Sequence, residues 1–210
     1  MRILARAGMI PVLLAALAGP LAAEKIRNHF DADAPMREPG FFDFAVLGAA
    51  GRSRWMVMAD PNPPSAPNRV VQTVLERSPE SLAAALRRGY LLRDGRVTVS
   101  IRREPVRAGL VFRVRGEKDF LALLLEQPSG DARLTAYRDG KPTELARGLA
   151  VPTRPWSTLS VELKGNSITA SLDGANVLEG VDPDPAEGRA GFVQAGPGAA
   201  SFDEFVIETP

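Results

Sequence analysis

The stretch STLSVELKGNSITASLDG, residues 157–174, decides the fold. Leu159, Val161 and Leu163 alternate with Ser160, Glu162 and Lys164, the period-two pattern of a strand with one buried face. Gly165-Asn166 turns the chain, and Ile168, Ala170 and Leu172 then alternate with Ser167, Thr169 and Ser171. Two such runs around a two-residue turn form an antiparallel hairpin. Asp94-Gly95, Asp139-Gly140 and Asp173-Gly174 are further tight-turn signals, because glycine accepts a positive φ without a Cβ clash. In VTVSIRR (97–103), Val97, Val99 and Ile101 again oppose Thr98, Ser100 and Arg102. Short strands with turns at intervals of roughly 8–12 residues and no alternating long helix predict an all-β, antiparallel β-sandwich or jelly roll in one domain.

Three segments break the simple pattern. DFLALLLEQ (119–127) is apolar on both faces, which a central strand covered on both sides explains; a short buried helix would also fit. The neighbours are strands, so the strand is preferred. ESLAAALRR (80–88) has good helix propensity in an all-β setting, and helix and irregular strand are equally compatible with it. WMVMADPNPPSAPNRVVQ (55–72) holds a cluster of prolines between two strand-like runs. The chain before it is too short to fold alone, so the cluster reads as an ordered loop within one domain and not as a linker.

Arg2 and Arg6, the apolar run Met9–Ala18 and the small residues Leu21-Ala22-Ala23 make residues 1–23 a secretory signal peptide, with the sandwich domain at 24–210. The apolar run is too short to span a bilayer, so no membrane insertion is expected after cleavage. A periplasmic or secreted location follows. Removing two arginines takes the formal charge from +1 to about −1, which leaves no basic excess for nucleic acid. With no cysteine, the exported chain is held by packing, with no disulfide.

The same composition excludes several chemistries. His29 is the only histidine, so a zinc site of usual composition is absent and a Ser-His-Asp triad would depend on one residue beside the cleavage site. No phosphate-binding glycine loop occurs. Glycoside hydrolysis needs two carboxylates about 5–10 Å apart. Asp203 and Glu204 point to opposite faces, Glu117 and Asp119 sit in a turn, and DPDPAE (182–187) reads as a solvated loop. Candidates for binding are Arg113, mid-strand with a planar donor fork; Tyr137, sharing a face with Arg133 and Thr135; and Trp55, whose ring could stack on a sugar. Trp156 reads as sealing a sandwich end. Asp203 is a candidate calcium ligand, although a turn-bonding role is simpler.

The order of W.V..D....SAPN.VVQ, RDGRVTV, AGLVFRV…DF, Y.DGK, W.TL.VE..GN.I..SLDG, GRAGF and FDEFVI resembles exported bacterial concanavalin A-like (laminin G-like) domains. The nearest group is named after 3-keto-disaccharide hydrolases. The resemblance spans residues 41–208 and implies a two-sheet jelly roll whose concave sheet carries any sugar site. It also implies that Asn68, Gln72 and Arg113 line that face. The chain departs from that pattern. Leu124 stands where the relatives carry a strand arginine, and FVQAGPGAA (192–200) replaces a Trp-Thr-Lys-Ala-Asp-like segment. The E-x-D-x-x-E pattern of laminarinase-type hydrolases is also missing. The resulting expectation is a non-catalytic carbohydrate- or glycan-binding sandwich with no required cofactor. A glycoside or 3-keto-disaccharide hydrolase is the alternative, and a protein-interaction sandwich covered at 119–127 is a third.

Overall fold

The computed structural model describes residues 24–49, 52–73, 81–127 and 129–210; the expected leader lies outside them. Two antiparallel sheets hold the strands. One contains β1 (Lys25–Asn28), β3 (Trp55–Ala59), β4 (Asn68–Gln72), β6 (Gly95–Arg102), β11 (Trp156–Lys164), β12 (Ser167–Leu172), β13 (Ala175–Val181) and β15 (Ser201–Glu208). The other contains β2 (Phe42–Leu47), β5 (Leu82–Arg87), β7 (Arg107–Gly116), β8 (Asp119–Glu126), β9 (Asp131–Arg138), β10 (Lys141–Leu149) and β14 (Arg189–Ala195). Their orders are β13-β12-β11-β6-β15-β4-β3, with β1 on β15, and β10-β9-β8-β7-β14-β5-β2. Among the described residues, no helix is long and apolar enough to cross a membrane.

The hairpin at 157–174 forms as its alternation requires. Leu159 faces Leu172, Lys164 faces Ser167, and Gly165 turns at φ 58°. Residue 80 lies outside the described residues; over 81–88 the strand wins. β5 lies between β14 and β2, with Ala83 and Ala85 against one apolar layer and Leu82, Ala84 and Leu86 against another. Pairing on both edges and burial on both faces override helix propensity, which is a weak local preference. β8 is likewise a central strand, with Leu121, Leu123 and Leu125 inside the sandwich and Phe120 and Ala122 on the far side.

The layer between the sheets is rich in aromatic rings. Trp55 packs edge-on against Phe192 at 5.1 Å, and Phe192 stacks on Phe202 at 4.8 Å. Each fully buried side chain of this size contributes roughly 1.5–3 kcal/mol through area removed from water. The proline-rich segment joins β3 to β4 as an ordered loop. The Asp60 amide donates to the Pro67 carbonyl at 3.0 Å, and the Asp60 carboxylate accepts from Arg69 and Arg102 at 2.7 and 2.8 Å. The edge strand β10 is largely exposed, carries Pro142, and shifts register between Glu144 and Ala146. At the chain ends, β1 runs antiparallel to β15, with Lys25 opposite Glu208.

Candidate functional site

The face of the seven-stranded sheet turned away from the other sheet is divided into an apolar half and a polar half. Register places Asp43, Leu86, Gly191, Val111, Ala122 and Thr135 in one row across β2, β5, β14, β7, β8 and β9. The adjoining row is Ala45, Ala84, Val193, Gly109, Leu124 and Arg133. The third is Leu47, Leu82, Ala195, Arg107, Glu126 and Asp131. Each row is mainly aliphatic or small from β5 to β7 and polar at β9. The aliphatic members form a second apolar cluster, separate from the inter-sheet core. Glycine is required at its centre. A Cβ at Gly109 would lie 1.9 Å from the Leu123 carbonyl oxygen, and one at Gly191 1.9 Å from that of Ala85.

On the polar half, a cavity of about 250 Å³ is lined by Arg107, Leu124, Glu126, Asp131, Arg133, Thr135, Tyr137, Pro142 and Glu144. Asp131, Arg133, Thr135 and Tyr137 are alternate residues of β9 and therefore share a face. Tyr137 lies flat against Phe120, with ring centroids 4.3 Å apart and planes 15° from parallel. The Asp131 carboxylate accepts two hydrogen bonds from the Arg133 guanidinium, and Arg147 Nε stands 3.7 Å from it. That hydrogen bond raises the Arg133 pKa further above its ordinary value. A second cavity of about 260 Å³ shares Arg107, Leu124, Tyr137 and Pro142 with the first and extends to Gly48 and Leu82. Together they offer a flat ring, cationic donor forks, carboxylate acceptors and a hydroxyl, the groups that hold a polyhydroxylated ligand.

Of the five residues expected to bind ligand, only Tyr137 lines this cavity. Arg113 does not stand on the open face. β7 pairs with β8 through Phe112 opposite Leu121, then resumes at Gly116 opposite Asp119, so a bulge intervenes, and Arg113 has φ 50°. The bulge resets the side-chain alternation. Val114 joins Val111 on the outer face, and the Arg113 side chain is buried, bonding Asp182 at 2.8 Å and the Gly165 carbonyl at 2.6 Å. Asp182 also accepts from Arg138 at 3.1 Å. Trp55 lies in the inter-sheet core, 1 % exposed, and its indole N–H donates to Ser53 Oγ at 2.9 Å, so its ring is closed to a sugar. Asn68 is buried, and its amide donates to the Phe30 and Asp33 carbonyls at 3.1 and 3.0 Å, pinning the loop after β1. Gln72 is fully buried, and its backbone N–H donates to the Ala200 carbonyl. Both belong to β4, in the sheet opposite the cavity. Trp156 begins β11 and is half-buried.

Asp203 is buried, and its carboxylate accepts from the Ser65 and Glu204 amides at 2.8 and 2.7 Å. Burial pushes its carboxyl up to about 7. Calcium requires an oxygen-rich shell around an ionised carboxylate. Two N–H donors on one carboxyl do not fit that need, and among the described residues no group of three or more His, Cys, Asp or Glu could hold a metal. The expectation that Asp203 and Glu204 face opposite ways fails for the same reason as at Arg113. β15 shifts register between Asp203 and Val206, Glu204 takes φ 51°, and both Phe202 and Phe205 reach the inter-sheet core.

The paired sheets define a concanavalin A-like jelly roll, and solved structures share it. No protein-family model matches the chain, and no curated protein matches it. A carbohydrate-binding module of Bacillus subtilis superposes with a TM-score of 0.56 at 12 % identity, covering 81 % of this chain and 94 % of its own. A Bacillus subtilis protein of unknown function with a galectin-like fold gives 0.59 at 14 %, covering 87 % and 94 %. A Bacillus licheniformis β-glucanase gives 0.53 at 9 %, covering 89 % and 98 %. At these identities the likeness shows the fold alone.

Proposed function

We propose that this chain is an exported, non-catalytic carbohydrate-binding sandwich that takes its ligand on the outer face of the seven-stranded sheet. The observation that carries this reading is the cavity in which Tyr137, Thr135 and Arg133 stand side by side on β9, facing Glu126 and Glu144. A ring stacked on Phe120 is held rigid, so it loses little freedom when a ligand covers it. Arg133 and Arg107 supply donors, and the carboxylates accept from sugar hydroxyls. Asp131 is engaged by Arg133, with Arg147 close by, which suits a positioning group better than a proton donor and favours binding over hydrolysis. The jelly-roll neighbours include a carbohydrate-binding module and a glucanase, which agrees with a sugar ligand without separating binding from catalysis. The signal-like sequence at 1–23 supports a periplasmic or secreted site of action.

A glycan-array screen followed by calorimetry on the hits tests this. Tyr137→Ala and Arg133→Ala are expected to weaken binding at least tenfold each; Arg133→Ala should leave the melting temperature little changed, whereas Tyr137→Ala should lower it by uncovering Phe120. Hits unaffected by both substitutions would move the site elsewhere. Turnover of ordinary or 3-keto disaccharides, abolished by Glu144→Gln, would convert the reading to a hydrolase.

A further inference from the structure

We propose a second binding site, distinct from the cavity on β9: a hollow at the β2 edge that takes an acidic sugar residue, its ring stacked on Phe41 and its carboxylate against the guanidiniums of Arg52 and Arg88. β2 ends the order of its sheet, and the hollow beside it holds about 410 Å³, with Glu38, Phe41, Asp43, Phe44, Arg52 and Arg88 in its wall. Phe41 is 63 % exposed, although an aromatic side chain gains from burial. Its backbone sits at φ 63°, a region that bulky side chains rarely adopt. The conformation is pinned from both sides. The Gly40 amide donates to the Asp33 carboxylate at 3.3 Å, and the Phe41 carbonyl accepts from the Arg88 amide at 2.8 Å and the Arg87 guanidinium at 3.3 Å. The Arg87 guanidinium also stands over the Phe41 ring, 5.0 Å from its centroid, and covers one face. A ring held in this way, with its other face open, is a platform whose ordering is complete before a ligand arrives. The same ring borders a smaller hollow of about 170 Å³, so a chain of two or more sugars can pass across it.

Charge selects the ligand. Arg52 pairs with Glu38 at 2.6 Å and stands over the Phe44 ring, 5.6 Å from its centroid. Arg88 and Arg189 share the single carboxylate of Asp43, at 3.0 and 3.1 Å. Arg87 bonds the Asn28 side chain and backbone carbonyls, and has no carboxylate partner among the described residues. These four guanidiniums meet two carboxylates, Glu38 and Asp43; Asp33 lines the smaller hollow instead, beside Arg27 and His29. Burial and the charge of Arg88 push the Arg87 guanidinium below its ordinary value, and an anion nearby would relieve the second effect. The two carboxylates set a further requirement. An aromatic acid would be repelled by them and has no donor to offer. A sugar acid has hydroxyls for Glu38 and Asp43 and a planar carboxylate for the arginine forks. A neutral sugar would leave the excess of cations unused.

The test measures binding to the purified protein by calorimetry, at low and at high salt. The probes are trimers of galacturonic, glucuronic, mannuronic and guluronic acid, and the neutral methyl ester of each. At least one acid trimer should bind about tenfold more tightly than its ester, with the difference shrinking at high salt. Phe41→Asn, whose side chain suits the positive φ, should weaken acid and ester alike by about tenfold while the melting temperature holds or rises. Arg52→Gln should weaken the acid and spare the ester, and Glu38→Gln, by releasing Arg52, should tighten the acid. Tyr137→Ala should change neither, because Tyr137 does not line this hollow. No binding of any acid trimer, or esters bound as tightly as acids, would overturn the proposal. A melting temperature lowered by Phe41→Asn with acid binding unchanged would also overturn it, since the ring would then be structural. Acid binding lost in Tyr137→Ala and kept in Phe41→Asn would overturn the second site and leave the β9 reading standing. Acid binding that depends on Phe41, with no glycan sensitive to Tyr137, would support this site and sink the β9 reading.

Discussion

Replacing Asp182 by alanine tests the structural account of Arg113 most directly. Arg113 is 1 % exposed and Asp182 fully buried, and they meet at 2.8 Å across the end of the sandwich. Without Asp182, the guanidinium keeps only the Gly165 and Arg93 carbonyls, at 2.6 and 3.3 Å, and its charge has no counterion there. Stranding one member of such a pair costs about 3–5 kcal/mol. Arg113→Met is the milder change, because Asp182 retains Arg138 and the Asp184 amide, both at 3.1 Å; about 1–3 kcal/mol is expected. At about 2–3 kcal/mol per molar urea for a domain of this size, Asp182→Ala should lower the unfolding midpoint by about 1.5 M and Arg113→Met by about half that. The double variant Arg113→Met/Asp182→Ala should lose less than the sum, since no buried charge is left unpaired. Midpoints equal within error for the two single variants would refute the reasoning. So would a loss of glycan binding by Arg113→Met with stability unchanged.

Asp203 gives a pH signature. Its folded pKa of about 7 stands above the usual carboxylate value, so the native state binds a proton that the unfolded chain has released between about pH 4 and 7. Stability should therefore fall as pH rises through that window and level off above it, and Asp203→Asn should flatten this part of the urea-midpoint profile. Asn68→Ala removes the donors that hold the Phe30 and Asp33 carbonyls and should cost about 2 kcal/mol, while Asn68→Asp, setting a carboxylate against the same carbonyls, should cost more; thermal melts rank the two. Trp55→Phe should lower the melting temperature through lost packing yet leave any glycan affinity unchanged, because the ring is enclosed by Phe192 and Phe202.

The strands were readable because alternation and turn chemistry are local. The hairpin at 157–174 needs nothing beyond its own residues. Asp139 and Gly140, at φ 50° and 77°, turn the chain where their dipeptide predicts. The face on which a side chain lies was less readable wherever a bulge intervened. Nothing in AGLVFRV announces that parity resets at Arg113, and FDEF hides the same event at Glu204. Arg133, Thr135 and Tyr137 could be grouped from spacing alone, and Asp131 fits the same series. Arg107, Glu126 and Glu144 enter the cavity through the registers of neighbouring strands, which one sequence does not display. The doubly apolar run at 119–127 did signal a strand buried on both sides. Its far side joins the buried outer cluster through Phe120 and Ala122.

The pairing of β1 with β15 has a kinetic consequence. β15 lies between β6 and β4 near the middle of its sheet and supplies Phe202 and Phe205 to the inter-sheet core, yet it comes from the last residues of the chain. Until those residues are available, the eight-stranded sheet is split, and β1 has no edge to join. Contacts that span nearly the whole sequence form slowly, because a large loop must close before they give any return. A fold built this way should complete its core late, once Ser201–Glu208 has docked between β6 and β4.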